Sequence, residues 1–209
     1  MPSYPKPPTV NDDARAVDIY RQAARLINER GFRATSMGDI AETVDLTKGG
    51  LYYYIKGKNA LLYAIMSYAM DRLENEVLAP AEDIDDPAER LASLLSNHLR
   101  LVLDEPDAMS ILSNEEEGLT KDHRPKVRQR KRAYTRFLGL CINAVFEARG
   151  MKAHVDANIA AYSILGMMQW VVRWYPSSEG FSPEDLVEQM THLALYGLIS
   201  SELRPTMAL

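Results

Sequence analysis

The residues best suited to chemistry lie between Thr35 and Lys58, and their types fit recognition of a phosphate backbone rather than bond making. Thr47 stands where a hydroxyl caps a helix, and Lys48, Gly49 and Gly50 follow in the first turn. Each glycine costs a helix about 1 kcal/mol relative to alanine. Two together suit close backbone approach to a bulky surface, here DNA. Tyr52, Tyr53 and Tyr54 cannot all be buried in so short a helix. At least one must offer a hydroxyl to phosphate or a ring to a thymine methyl. Lys48, Lys56 and Lys58 bracket the segment, and Lys58 opens the next helix, whose free N–H groups favour an anion. A plain helical hairpin with solvated lysines explains any one of these residues but not the set.

These residues are placed by two short helices and a turn. Ser36 and Asp39 have capping-box spacing, and Met37, Ile40, Ala41 and Val44 fall at i, i+3, i+4 and i+7. Asp45-Leu46-Thr47 is then a three-residue turn into a second helix with Leu51 and Ile55 facing inward. This is helix-turn-helix spacing, in which the second helix enters the major groove. Ahead of it, a flexible arm with Pro2, Pro5, Pro7 and Pro8 precedes a Thr9/Asp12 capping pair. Val17, Tyr20, Ala24 and Ile27 then form a stripe that ends at Arg30, with Gly31 as left-handed cap.

Helical periodicity continues to the C-terminus, and strand signals are nearly absent. The expected helices cover about Lys58–Leu78, Ala88–Asp104, Pro106–Ser113, Pro125–Ala148 and Val155–Trp174, the last ended by Pro176. A final helix spans Pro183–Leu203, with Ser182 as cap. The fold class is all-α with about nine helices: a flexible arm (1–9), a three-helix DNA-binding head (10–57) and a larger ligand-binding and dimerisation domain (58–209). "APAEDIDDP" and "NEEEGLTKDH" read as acidic loops.

Composition first points the other way. The 209 residues carry a net charge of -5, which speaks against a nucleic-acid partner or an anionic membrane. The charge is unevenly spread: residues 1–60 hold nine Lys/Arg against seven Asp/Glu, and the rest hold fifteen against twenty-two. A small basic head on an acidic body implies salt-dependent affinity that rests on dimerisation. A mean hydropathy of -0.25 fits a soluble chain. One cysteine, Cys141, requires no oxidising compartment, so a cytoplasmic location is expected. The N-terminus has no signal-peptide pattern. The uncharged run Ala157–Val172 is shorter than the roughly 20 residues of a spanning helix, so no membrane partner is expected.

The stretch "RATSMGDIAETVDLTKGGLYYYIKGKNALL" resembles the DNA-binding signature of the TetR family of one-component repressors. That resemblance implies phosphate contacts at Thr35 and Ser36, and base or phosphate contacts at Thr47, Lys48, Gly49 and Gly50. It also implies an aromatic pair at Tyr52 and Tyr53, the first packed and the second against the backbone, and a phosphate-binding lysine at Lys58. The chain departs from the pattern in having Asp45 where glycine is common in the turn, tolerable because aspartate adopts positive φ. Gly38 replaces a frequent basic residue before "DIA", which removes a potential base contact. Tyr54 and Ile55 replace histidine and phenylalanine.

A repressor of this kind needs an inducer cavity, since coupling requires differential affinity for two states. Its candidate lining is His98, Val102, Met109, Tyr134, Phe137, Cys141, Met168, Gln169, Trp170 and Arg173. "VVRWYP" resembles the penultimate helix end of family members that control fatty-acid, aromatic or sterol breakdown in response to acyl-CoA thioesters. The basic run Lys121–Arg136, with eight Lys/Arg against Asp122, suits either CoA phosphates or a solvated face. The partners implied are a palindromic double-stranded operator, a small-molecule inducer and a second copy bound through the last two helices. Gly166, Ala161, Ala194 and Gly197 are expected to allow close helix approach there, and Arg173 and Trp174 lie where pocket and interface converge.

No enzyme is expected: HExxH, CxxC, GxSxG and P-loop patterns are missing, and no cofactor or metal site is implied. His98, His123, His154 and His192 are too scattered for metal pairs, and "NEEEG" reads as an exposed acidic loop. The alternatives are a helical sensor without specific DNA binding, or a ligand-dependent activator.

Overall fold

The capping residues fix most of the helix ends. In a computed structural model that describes residues 14–151, 153, 155–175 and 180–199, nine helices follow one another without a strand among the described residues. They are α1 (Ala14–Arg30), α2 (Met37–Thr43), α3 (Lys48–Tyr54), α4 (Lys58–Arg72 and its continuation), α5 (Pro87–Asp104), α6 (Pro106–Asn114), α7 (Arg124–Ala148), α8 (Ala157–Trp174) and α9 (Pro183–Ile199). The proline arm, the Thr9/Asp12 pair, His154, Pro176 and the stretch to Leu203 lie outside the described residues.

Gly31 has φ +85, so α1 stops at the expected left-handed cap, and Gly150, with φ +59, ends α7 in the same way. Asp156 and Asp86 cap α8 and α5 by accepting from first-turn N–H groups. Ser182 accepts from the Asp185 N–H at 3.0 Å.

Helix α4 departs from expectation. It does not stop at Leu78 but runs through a π-helical segment, Leu73–Leu78, into a last α-turn, Ala79–Glu82. Pro80 lacks an N–H and would collide with the carbonyl four residues back in a regular helix. The widened π turn ends just before it, and the Ala79 N–H donates to the Glu74 carbonyl. The same turn carries the buried Glu74, which pairs with Arg130 of α7.

The head core is Ile19, Ala23 and Ile27 of α1 with Ile40, Ala41 and Val44 from α2 and the turn after it, and Leu51 of α3, all nearly inaccessible. Burial of a side chain such as Leu51 contributes about 1.5–3 kcal/mol. That burial holds α3 despite its two glycines. Helix α1 also packs on α4 and α6, and α5, α7 and α8 pack together in the body.

A buried carboxylate ties head to body. Glu105, at the α5–α6 corner, accepts from Arg21 Nε of α1 at 2.7 Å and from Tyr68 and Arg72 of α4. Nearby, Asn28 Nδ2 donates to Asp107 Oδ1 at 2.9 Å. "NEEEG" is not merely an exposed acidic loop. A Cβ on Gly118 would lie 2.7 Å from Leu62 Cδ2 and 2.8 Å from the Phe32 ring, so this body turn is wedged against the head. Glu116 ties the same turn to Arg128 and Lys131 of α7.

Candidate nucleic-acid interface and sensor core

The turn between α2 and α3 is locked by backbone. Asp45 has φ +52, the Leu46 N–H donates to the Ala41 carbonyl at 2.8 Å, and the Asp45 N–H donates to the Glu42 carbonyl at 3.2 Å. This is a Schellman motif with aspartate in the left-handed position usually held by glycine. Arg15 of α1 donates to the Val44 carbonyl, satisfying the end of α2. The Ser36 hydroxyl accepts from the Asp39 N–H at 3.2 Å and the Asp39 carboxylate accepts from the Ser36 N–H at 2.8 Å. Those two bonds, first the backbone one, hold the Asp39 carboxyl below its usual range.

On α3, Thr47 Oγ1 accepts from the Gly50 N–H at 3.0 Å. A Cβ on Gly50 would press on that oxygen at 3.3 Å, so this glycine has a reason inside the protein. Gly49 has little: a Cβ there would meet only Thr47 Oγ1, at 3.9 Å, and the residue is exposed. Tyr53 is 85% exposed and touches Tyr54 edge-on, with ring centroids 5.2 Å apart. Tyr52 is exposed too, which corrects the expectation that it packs: Leu51 and Ile55 fill the inward positions, and Tyr54 rather than Tyr52 is half-buried.

Lys58 is anchored before any DNA arrives. Its ammonium donates to the Arg33 carbonyl at 3.2 Å and sits 4.4 Å from the centre of the Phe32 ring. Thr35 is a correction: it is 1% exposed and its hydroxyl donates to the Gly31 carbonyl at 3.0 Å, so it braces the α1–α2 connection instead of facing phosphate. Ser36, Thr47 and Lys48 remain exposed on one edge of the head.

In the body, His98, Val102, Met109, Tyr134, Phe137, Cys141 and Met168 are all buried, on α5, α6, α7 and α8. His98 Nδ1 and the Tyr134 hydroxyl are 2.8 Å apart, a polar pair inside an apolar core. Gln169 Nε2 is buried and without a partner. Trp170 and Arg173 are corrections: both are exposed, because α8 turns its Ile164, Met168 and Val171 face to the core and these two away from it. Burial pushes the Cys141 thiol up to about 11, so it is an inert core thiol.

Burial also lowers His98 to about 4, against 6.5 for the free side chain. Between those values the unfolded chain binds the proton and the fold does not. His98 therefore contributes stability that is complete above pH 6.5 and is lost as pH falls towards 4, about 3 kcal/mol in all. Urea midpoints measured across this window should fall with pH, and His98→Asn should flatten the decline. A decline unchanged by that substitution would contradict the assignment.

The basic run Lys121–Arg136 divides in two. Arg130 pairs with Asp71 and Glu74, Arg128 and Lys131 with Glu116, and Arg124 donates to the Glu117 and Leu119 carbonyls. Lys121, Lys126, Arg132 and Arg136 are left at the surface. Among the described residues no cluster of three His, Cys, Asp or Glu side chains is placed to hold a metal, and no helix is long and apolar enough to cross a membrane.

The outer face of α8 and α9 is unusually apolar. Ile159, Tyr162, Trp170, Leu193 and Tyr196 are each more than 60% exposed, and an open groove of about 800 Å³ runs between the helices past Trp170, Trp174 and Phe181. Gly166 and Gly197 lie on this face with open space above them. Ala161 and Ala194 do not: they are buried in the protomer's own core, which corrects their expected place.

Two family profiles match the chain: "Bacterial regulatory proteins, tetR family" over residues 19–65, and "Tetracyclin repressor-like, C-terminal domain" over 84–198. Among curated proteins it is 24% identical over 202 residues to the HTH-type transcriptional repressor KstR2 of Rhodococcus jostii (strain RHA1), covering 96% of this chain and 98% of that one. It is 22% identical over 197 residues to the HTH-type transcriptional regulator HbdR of Aromatoleum sp. (strain CIB), covering 94% and 86%. Among solved structures, AibR in complex with isovaleryl coenzyme A and operator DNA superposes with a TM-score of 0.75 at 35% identity, over 86% of this chain and 97% of AibR.

Proposed function

The chain belongs to the TetR family of bacterial regulatory proteins, and from that premise we propose that it is a dimeric transcriptional repressor whose two heads hold a palindromic operator until a small-molecule inducer enters the body. One observation carries the DNA half of this reading. Helix α3 turns Lys48, Gly49, Tyr52 and Tyr53 outward from a rigid turn, and nothing inside the protomer accounts for two exposed tyrosines on so short a helix. In the proposal α3 enters the major groove. Lys48, Gly49, Gly50, Tyr52 and Tyr53 meet bases and phosphates, while Ser36, Thr47 and Lys58 meet the backbone. The head is 10–57, the sensing and dimerising body 58–209, and the protein works in the cytoplasm with the DNA it reads. A gel shift with the DNA upstream of its own gene should retard at low salt and weaken steeply as salt rises; salt-insensitive or absent retardation would count against it.

For the inducer, the candidate place is the buried set around His98 and Tyr134, an apolar cluster with one polar pair, and AibR's complex with isovaleryl coenzyme A supports an acyl-CoA thioester as the ligand class. The exposed Lys121, Lys126, Arg132 and Arg136 suit phosphates left outside such a site. Calorimetry should give much tighter binding for the thioester than for the free acid.

The dimer forms through the α8–α9 face, which leaves too much apolar surface for a lone protomer. Leu193→Asp with Tyr196→Asp should convert the dimer to a folded monomer in sedimentation, with helical content retained. Persistence of the dimer would place the interface elsewhere.

A further inference from the structure

We propose that Gly38 is a positioning residue for DNA binding: the side chain it lacks opens a berth on the first turn of α2, and Lys48 lies in that berth with its ammonium committed to the sugar-phosphate backbone rather than to a base edge. The inference rests on the DNA-binding reading above and assigns one contact within it.

The geometry is specific. A Cβ on Gly38 would stand 2.8 Å from Lys48 Cε, 3.2 Å from Lys48 Nζ and 3.4 Å from Ser36 Oγ. The lysine, the first residue of α3, therefore reaches back across the turn and lays the end of its chain over α2. The berth is shared by the Lys48 ammonium and the Ser36 hydroxyl, both within 3.4 Å of the place a Cβ on Gly38 would take. In a docked helix-turn-helix the first helix crosses the phosphate backbone, and the leading residues of the second reach the bases. A lysine berthed on α2 is on the backbone side of that division. A long cation held in place also loses less rotamer freedom on binding than one free in solvent.

The two atoms that a methyl at 38 would meet most closely, Lys48 Cε and Nζ, are the end of a flexible side chain, while the capping oxygen of Ser36 stands at an ordinary contact distance of 3.4 Å. Gly38→Ala should therefore expel Lys48 without disturbing α2. Alanine is also the better helix former. The expected variant unfolds at the same temperature or higher and yet binds DNA more weakly, a combination that a merely structural glycine would not produce.

The test is a double-mutant cycle of Gly38→Ala and Lys48→Ala, read by fluorescence anisotropy on the fragment that the gel shift identifies. Gly38→Ala alone should weaken binding about tenfold across the dimer and lower the salt slope by about two, one phosphate per head. Added to Lys48→Ala, it should change affinity less than about twofold. An undiminished loss in the Lys48→Ala background would mean that position 38 meets DNA directly, and would overturn the proposal. So would unchanged affinity in the single variant, or a lowered unfolding temperature. If the unaltered protein binds no DNA, the DNA-binding reading falls and the inference falls with it, whatever the unfolding temperatures show.

Discussion

Replacing Lys48 and Tyr53 together by alanine should lower operator affinity about a hundredfold and leave the fold as stable as before. Tyr53 is 85% exposed, with one edge-on contact to Tyr54, and Lys48 is at the surface. Substitutions at such sites move stability by about 0.5 kcal/mol or less. Each head would lose a charge-assisted contact and an aromatic one. At about 1.5 kcal/mol per head, two heads amount to about a hundredfold. The salt dependence should flatten as well, because the lysine no longer displaces a counterion. Anisotropy titrations at several salt concentrations, with thermal unfolding alongside, measure both. Undiminished affinity would move the interface off α3.

The second large effect is on stability. Glu105→Ala should cost about 3 kcal/mol, the low end of the range for breaking a buried ion pair. The carboxylate is 5% exposed and one of its oxygens accepts from Arg21, Tyr68 and Arg72. Its loss takes away the acceptor of the buried Tyr68 hydroxyl, which keeps only a 3.5 Å contact from Arg72 Nη1 and whose ionisation is already pushed up by burial and then by Glu105. Arg72 keeps Glu76 and Asp104, and the half-exposed Arg21 rehydrates, which holds the cost at the low end. Glu105→Gln, retaining an acceptor oxygen, should lose less. Urea midpoints decide it: an alanine variant with the stability of the unaltered chain would mean that this corner does not hold α1 to α4 and α6.

Local signals made much of the fold legible. Ser36, Asp39 and Thr47 cap as their spacing implies, because capping involves residues three apart. Asp45 takes the left-handed turn that its residue type allows. The departures from expectation depend on distant partners. The hydroxyl of Thr35 turns inward only because the chain around Gly31 places a carbonyl above it. Three of the eight cations in the basic run, Arg128, Arg130 and Lys131, are neutralised by Asp71, Glu74 and Glu116 from two other segments. The continuation of α4 past Leu78 is not legible, because a π turn leaves no mark in apolar spacing.

Glu105 and Gly118 were missed altogether, yet each left a trace. Glutamate is a poor N-cap, and before Pro106 it caps nothing, so its carboxylate is available to Arg21, Tyr68 and Arg72. Gly118 closes an acidic loop and is followed by the apolar Leu119, which is buried. The uncharged run Ala157–Val172 foreshadows the apolar outward face of α8, but which small residues face out is not legible, since Gly166 and Ala161 differ only in helical phase against a core set by distant partners.

On this reading one dimer binds operator DNA and gives it up to a thioester ligand. The most direct test is anisotropy of labelled upstream DNA, saturated with the protein and then titrated with isovaleryl-CoA, a long-chain acyl-CoA, the two matching free acids and CoA alone. The expected result is a rise to saturation, then a fall with at least one thioester at concentrations where its free acid and CoA do nothing. No rise at moderate salt, or equal release by acid and thioester, would contradict it.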